Sequence, residues 1–131
     1  MNLLLDTCTF LWLIWDEPKI RPAMRERLTD PGNRLFLSTI SLWEATAKYA
    51  AGRLEVRASG PAWRHFIEQR EAHEIEPLPL DDASVGHVET LPFIHKDPFD
   101  RLLICQAIEH GMGIVTPDDH IRRYPVKTVW D

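Results

Sequence analysis

Asp6, Glu44, Asp100 and Asp118 are the residues of this 131-residue chain whose type and setting point to chemistry. Asp6 directly follows Leu3-Leu4-Leu5, an apolar run that reads as a buried strand. Asp118 stands just past a second such run, Gly113-Ile114-Val115-Thr116. Ligands of open α/β sheets gather outside the carboxyl ends of the strands, so Asp6 and Asp118 are expected to be neighbours. Glu44 and Asp100 read as opening helices, and a parallel sheet would bring both to the same end.

Asp6 is the hardest of the four to place without a partner. A carboxylate after three leucines is costly to bury unless something pairs with it, and no Lys or Arg lies nearby in sequence. Two unit charges 4 Å apart repel by about 1 kcal/mol in water and about 4 at an effective dielectric of 20, so clustered carboxylates need protons or a cation. All-oxygen ligation suits Mg²⁺ or Mn²⁺. Such ions can generate a hydroxide nucleophile, orient a phosphodiester and stabilise the leaving oxygen, which makes phosphodiester hydrolysis the favoured reaction class. Each acid also has an ordinary structural reading. Glu44 can complete a capping box with Ser41 and pair with Lys48 one turn later. Asp97 reads as an N-cap, Asp100 as charge favoured at the same helix terminus, and Asp118 as the cap of a short helix.

Other residue types offer less. The six histidines form neither H-x-x-x-H nor H-E-x-x-H and read as surface or supporting residues, with His120, two residues past Asp118, the one to watch. Thr7 and Ser38 can offer hydroxyls to a bound water or phosphate, or cap a helix and end a strand. The five tryptophans read as core or interface rather than base-stacking platforms. Lys48, Arg53 and Arg57 beyond Glu44, and Arg122 with Arg123 beyond Asp118, are candidate RNA contacts. As single residues they also read as solvated surface charge.

The elements that must position these groups alternate. Strands are expected at Leu3 to Leu5, Arg34 to Leu37, Ile75 to Leu80 (an edge strand interrupted by proline), Met112 to Thr116 and Val126 to Trp130. Helices are expected at Thr7 to Trp15, Pro18 to Asp30, Ser41 to Gly52, Gly60 to Glu74 with Trp63, Phe66 and Ile67 inward, from Asp81 to near Leu91, from Asp97-Pro98 to Gly111, and at Asp118 to Tyr124. This order implies right-handed crossovers and a doubly wound parallel α/β sheet flanked by helices, in a single domain spanning 1–131. The chain is long enough to bury roughly two thirds of its unfolded surface.

Composition narrows the class. Net charge is −5 and the isoelectric point near 5.6, so there is no global basic field to draw the chain onto nucleic acid. An enzyme whose bound cations contact the phosphate is unaffected by that. Phe10 to Trp15 falls far short of the roughly 18 to 20 apolar residues of a membrane span, and no signal-peptide pattern opens the chain. Cys8 and Cys105 lack metal-type spacing and read as small core residues in a reducing cytosol, giving a cytoplasmic expectation. Gly-rich phosphate-binding fingerprints are absent.

The ordered set Leu5-Asp6-Thr7, Ser41-x-x-Glu44, Asp97-Pro98-Phe99-Asp100-Arg101-Leu102-Leu103 and Val115-Thr116-Pro117-Asp118 resembles the PIN-domain ribonucleases, specifically the VapC-like toxins of bacterial toxin–antitoxin pairs. The resemblance spans nearly the whole chain. It implies cleavage of RNA dependent on Mg²⁺ or Mn²⁺, a homodimer, and silencing by a small antitoxin that covers the site. It places the catalytic quartet on Asp6, Glu44, Asp100 and Asp118, with Asp6 and Asp100 as metal ligands and Asp97, Thr7, Thr116 and Asp119 as accessory residues. Asp119 is the alternative occupant of the fourth position. Two other readings compete. One is an aspartyl phosphatase of the haloacid-dehalogenase type with Asp6 as nucleophile, although Cys8 stands where its second aspartate belongs. The other is a catalytically inactive module that holds an ion for partner recognition.

Overall fold

Leu3 and Leu5 pack on one face of a sheet and Leu4 on the other, the period-two split that a strand buried on both sides requires. The computed structural model describes residues 1–130. Five parallel strands, β1 (Asn2–Leu5), β2 (Arg34–Ser38), β3 (Ile75–Leu78), β4 (Gly113–Val115) and β5 (Thr128–Val129), lie in the order β3-β2-β1-β4-β5. Leu5 pairs with both Leu37 and Val115, so Asp6, Ser38 and Thr116 leave the sheet along one edge. The chain winds outward from β1 through β2 to β3, then crosses back to β4 on the other side of β1. The strand order therefore switches between β1 and β4, at the carboxyl ends that carry Asp6 and Thr116.

Helices cover both faces: α1 (Thr7–Ile14), α2 (Pro22–Thr29), α3 (Thr39–Ala50), α4 (Ala62–Ala72), α5 (Asp82–Gly86) followed by a 3₁₀ turn, α6 (Pro98–His110) and α7 (Asp119–Arg122). Phe10, Leu11, Leu13, Met24, Leu28 and Phe66 fill one side with Leu3, Leu5, Leu35 and Leu37. Leu103, Ile104, Cys105, Ala107 and Ile121 fill the other with Leu4, Phe36 and Ile114. Asp97 caps α6, its Oδ1 accepting from the backbone N–H of Phe99 (2.9 Å) and Asp100 (3.3 Å), and Pro98 supplies the first helical residue. Gly111 ends the helix at φ 65°, a left-handed conformation that glycine adopts without Cβ strain.

Several expected elements are corrected. The second helix begins at Pro22 rather than Pro18, because α1 closes with Asp16 left-handed at φ 55° and the residue before Pro22 is held extended. The helix bearing Glu44 begins at Thr39, two residues before Ser41: Ser38, the last residue of β2, is its cap, accepting from the Ile40 N–H at 3.0 Å. Ser41 is buried within α3, so the expected capping box does not form and Glu44 lies beyond the first turn. Trp63 is 46% exposed, since α4 buries Ala62 and Phe66, one turn apart, and Trp63 faces away with Arg64 over its ring. None of the tryptophans is fully buried, and Trp15 and Trp43 are exposed like Trp63. Cys105 is core as expected, whereas Cys8 is exposed.

A buried arginine braces the loop ahead of α6. The Arg101 guanidinium donates to the Pro92 carbonyl (2.8 Å) and the Tyr124 hydroxyl (3.1 Å) and lies over the Phe93 ring at 4.7 Å. The Tyr124 hydroxyl accepts from the His95 N–H (2.8 Å) and faces the His95 carbonyl at 3.1 Å. Tyr124→Phe keeps the ring but leaves these buried groups unsatisfied, so urea unfolding is expected to show a loss of about 1–3 kcal/mol. A change under about 0.5 kcal/mol, the size of an ordinary surface substitution, would show that the brace is dispensable.

Candidate functional site

Each acid reaches the switch point by a local device. Asp6 joins β1 to α1 without a loop and caps α1, its Oδ1 accepting from the Thr9 N–H at 2.8 Å while Thr9 Oγ1 donates to the Val115 carbonyl at 3.1 Å. The cap is thus Asp6 itself, not Thr7. Thr7 instead donates its hydroxyl to Glu44 Oε1 at 2.6 Å, tying the α3 carboxylate to the start of α1. Asp118 follows β4, caps α7 by accepting from the His120 N–H at 2.7 Å, and donates its own N–H to Thr116 Oγ1 at 3.0 Å. Asp100 lies in the first turn of α6, which packs against α3.

Electrostatics couples these groups to one another. Burial pushes the Asp6 carboxyl above its ordinary range, and Asp118 pushes it further, against opposing bonds from Thr116 and Thr9. Asp100 is raised to about 7, first by burial and then by Asp97, Asp118, Glu44 and Asp6 in turn. The Cys8 thiol is raised by the burial it has and then by Asp6, with Glu44 and Asp100 adding to the rise and Lys48 opposing it. Lys48 Nζ lies 3.7 Å from Glu44 Oε2, while Asp100 feels four other carboxyl groups, those of Asp97, Asp118, Glu44 and Asp6. This donor set fits a hard divalent cation: oxygen-rich, partly buried, and short of positive charge.

Of the pair 118 and 119, Asp118 faces the cluster, while the Asp119 side chain is 94% exposed and pairs with Arg122 at 3.8 Å. Thr116 is fully buried. Among the candidate RNA contacts, Lys48 borders the acids, Arg53 and Arg57 are exposed in the loop beyond α3, and Arg122 and Arg123 lie on the surface at α7. Sequence reasoning missed His95. One donor atom from each of His95, Asp97 and Asp100 lies within 4.8 Å of the others, and the His95 ring stacks on His120 at 4.1 Å. Its only signal in the sequence was closeness to Asp97. Trp43 and Phe99, neighbours in sequence of Glu44 and Asp100, also meet, with ring centroids 4.9 Å apart.

A parallel α/β sheet with a carboxylate pocket at its switch point defines a class of domain, and residues 3–127 match the PIN domain family, to which this chain belongs. It is similar to Ribonuclease VapC22 of Mycobacterium tuberculosis, with 27% identity over 135 residues and 98% of each chain covered. Its fold is similar to that of VapBC2 from Rickettsia felis bound to a DNA fragment from its promoter, with a TM-score of 0.74, 18% identity and 100% of both chains covered. It is also similar to DNA-bound VapBC from Salmonella typhimurium, with a TM-score of 0.68, 21% identity, and 100% of this chain and 98% of that one covered. Membership of the PIN family takes the place of the phosphatase alternative.

The crowding of acids has a measurable sign. The folded state keeps the Asp100 proton up to about pH 7, while the unfolded chain releases it near 3.8. The folded state therefore binds more protons between those values, and stability in chelator falls as pH rises through that window. Asp100→Asn removes the effect. At about pH 8 it is expected to melt about 3–6 °C higher than the wild type, and near pH 4 to melt at about the same temperature. A variant that melts lower than the wild type at the higher pH would contradict the repulsion.

Proposed function

We propose that this chain is a metal-dependent endoribonuclease and the toxin of a VapBC-type pair, acting in the cytoplasm as a homodimer and silenced by a small antitoxin. The observation that carries the reading is Asp100, lifted to about 7 by burial and by Asp97, Asp118, Glu44 and Asp6 at the switch point of a PIN domain. The name of the Mycobacterium tuberculosis relative supports RNA as substrate, and the VapBC complexes of like fold support the antitoxin.

In this reading Asp6 and Asp100 hold Mg²⁺ or Mn²⁺, with Glu44 and Asp118 beside them and Asp97, Thr7 and Thr116 in accessory places, while Asp119 stays on the surface beside Arg122. A divalent ion bound there supplies a Lewis acid for the scissile phosphate and acidifies an attacking water. The chain's own groups prepare the place. Thr9 N–H and Thr116 favour the ionised form of Asp6, and the Thr7 hydroxyl fixes the Glu44 carboxylate. Asp100 gives up its proton when the cation enters, so affinity falls as pH drops below about 7. Lys48, Arg53 and Arg122 form a cationic rim for the RNA backbone.

Purified wild type, Asp6→Asn and Asp100→Asn can be compared on RNA with Mn²⁺ or Mg²⁺. Asn is as good an N-cap as Asp, so Asp6→Asn keeps α1 intact. Both variants are expected to lose about a hundredfold or more in cleavage rate, as when a main electrostatic contributor is removed, and chelator abolishes cleavage by the wild type. Equal activity in all three proteins would remove the assignment. In the cell, the same two variants should relieve the growth arrest that the wild type causes.

A further inference from the structure

We propose that His95 is a nitrogen ligand, with Asp97 and Asp100, of a divalent ion at the edge of the acid pocket, and that it shifts the chain's preference from Mg²⁺ toward Mn²⁺ and later first-row metals. The proposal rests on the reading of the pocket as a cation site.

The three donor atoms lie within 4.8 Å of one another. Ligands of an octahedral ion with bonds of about 2.1 Å stand roughly 3 to 4 Å apart, so side-chain adjustments of about an ångström close the set. Asp97 retains an oxygen for this purpose, because only its Oδ1 is engaged in capping α6. His95 is held on several sides. Its backbone N–H donates to the Tyr124 hydroxyl and its carbonyl faces the same hydroxyl, which Arg101 holds from behind. Its ring lies parallel to that of His120, 4.1 Å away with planes 9° apart. His120 is anchored in turn, its Nδ1 accepting from the Arg123 guanidinium at 2.8 Å, since a guanidinium can only donate.

A surface imidazole with no task does not need both its backbone N–H and carbonyl engaged and its ring stacked on a second one. Contacts around a metal site orient its ligands, and here the Tyr124 hydroxyl and the His120 ring fix the position of His95. The donor type sets selectivity: carboxylates and waters suit Mg²⁺, whereas an imidazole nitrogen favours Mn²⁺ weakly and the later metals more strongly.

The most direct test is electron spin-echo spectroscopy of the Mn²⁺-loaded wild-type protein. An imidazole-nitrogen modulation is expected, present also in His120→Ala and absent in His95→Ala. Calorimetric titration of His95→Ala is expected to show a loss of about tenfold or more in Mn²⁺ affinity with Mg²⁺ affinity changed less than about threefold. Wild type without a nitrogen signal, or equal losses for both ions, would overturn the role of His95 while leaving the acid pocket in place. Failure of the pocket itself looks different: the wild type would bind neither ion, or Asp6→Asn would bind both as well as the wild type does.

Discussion

Mutual repulsion among carboxylates gathered at one edge of a buried sheet is the constraint around which this molecule is arranged. Asp6 is 7% exposed and sits at the end of the central strand. It is tolerated because it also caps α1, where the first turn of the helix offers unpaired N–H groups to a negative charge. The same resolution recurs at Asp97 ahead of α6 and Asp118 ahead of α7. Helix starts soften the cost of each charge. They do not cancel the repulsion between charges, and Asp100 records what is left by holding its proton up to about pH 7.

The fold delivers these groups through short joints rather than long loops. β1 passes into α1 through Asp6 alone, and β2 into α3 with Ser38 serving as both last strand residue and cap. Parallel register then places the joints side by side, because Leu5 is level with Leu37 and Val115. Glu44 and Asp100 come from helices that pack on each other, and the Thr7–Glu44 hydrogen bond ties one of these helices to the start of α1. Arg101, next to Asp100 in sequence, reaches Tyr124 and the Pro92 carbonyl and fixes the loop carrying His95. One turn of α6 thus presents an acid to the pocket and sends a buried brace behind it. Stability and site geometry are set by the same few residues.

Much of this was legible in the sequence where a local rule spoke clearly. The apolar run before Asp6, the Asp97-Pro98 start and the Gly111 stop of α6 each follow from backbone chemistry confined to a few residues. The choice between Asp118 and Asp119 was not legible. Adjacent residues point about 100° apart on a helix, and only the packing of α7 shows that Asp118 turns inward. Ser41 read as the cap of α3 because Glu44 stands three residues on, and nothing local marked Ser38 as more than a strand end; in the fold Ser38 is the cap and Ser41 is buried inside the helix. The setting of His95 depends on Tyr124 and His120, distant in sequence, and no spacing rule could have paired them.

Anomalous scattering from a crystal soaked in Mn²⁺ at about pH 8, where Asp100 has lost its proton, addresses the shared pocket most directly. A peak within coordination distance of the Asp6 and Asp100 carboxylates, beyond the end of β1, is what the structure predicts. Ordered acids with no peak between them, or a peak only at a distant surface carboxylate, would contradict a common cation as the reason these charges meet.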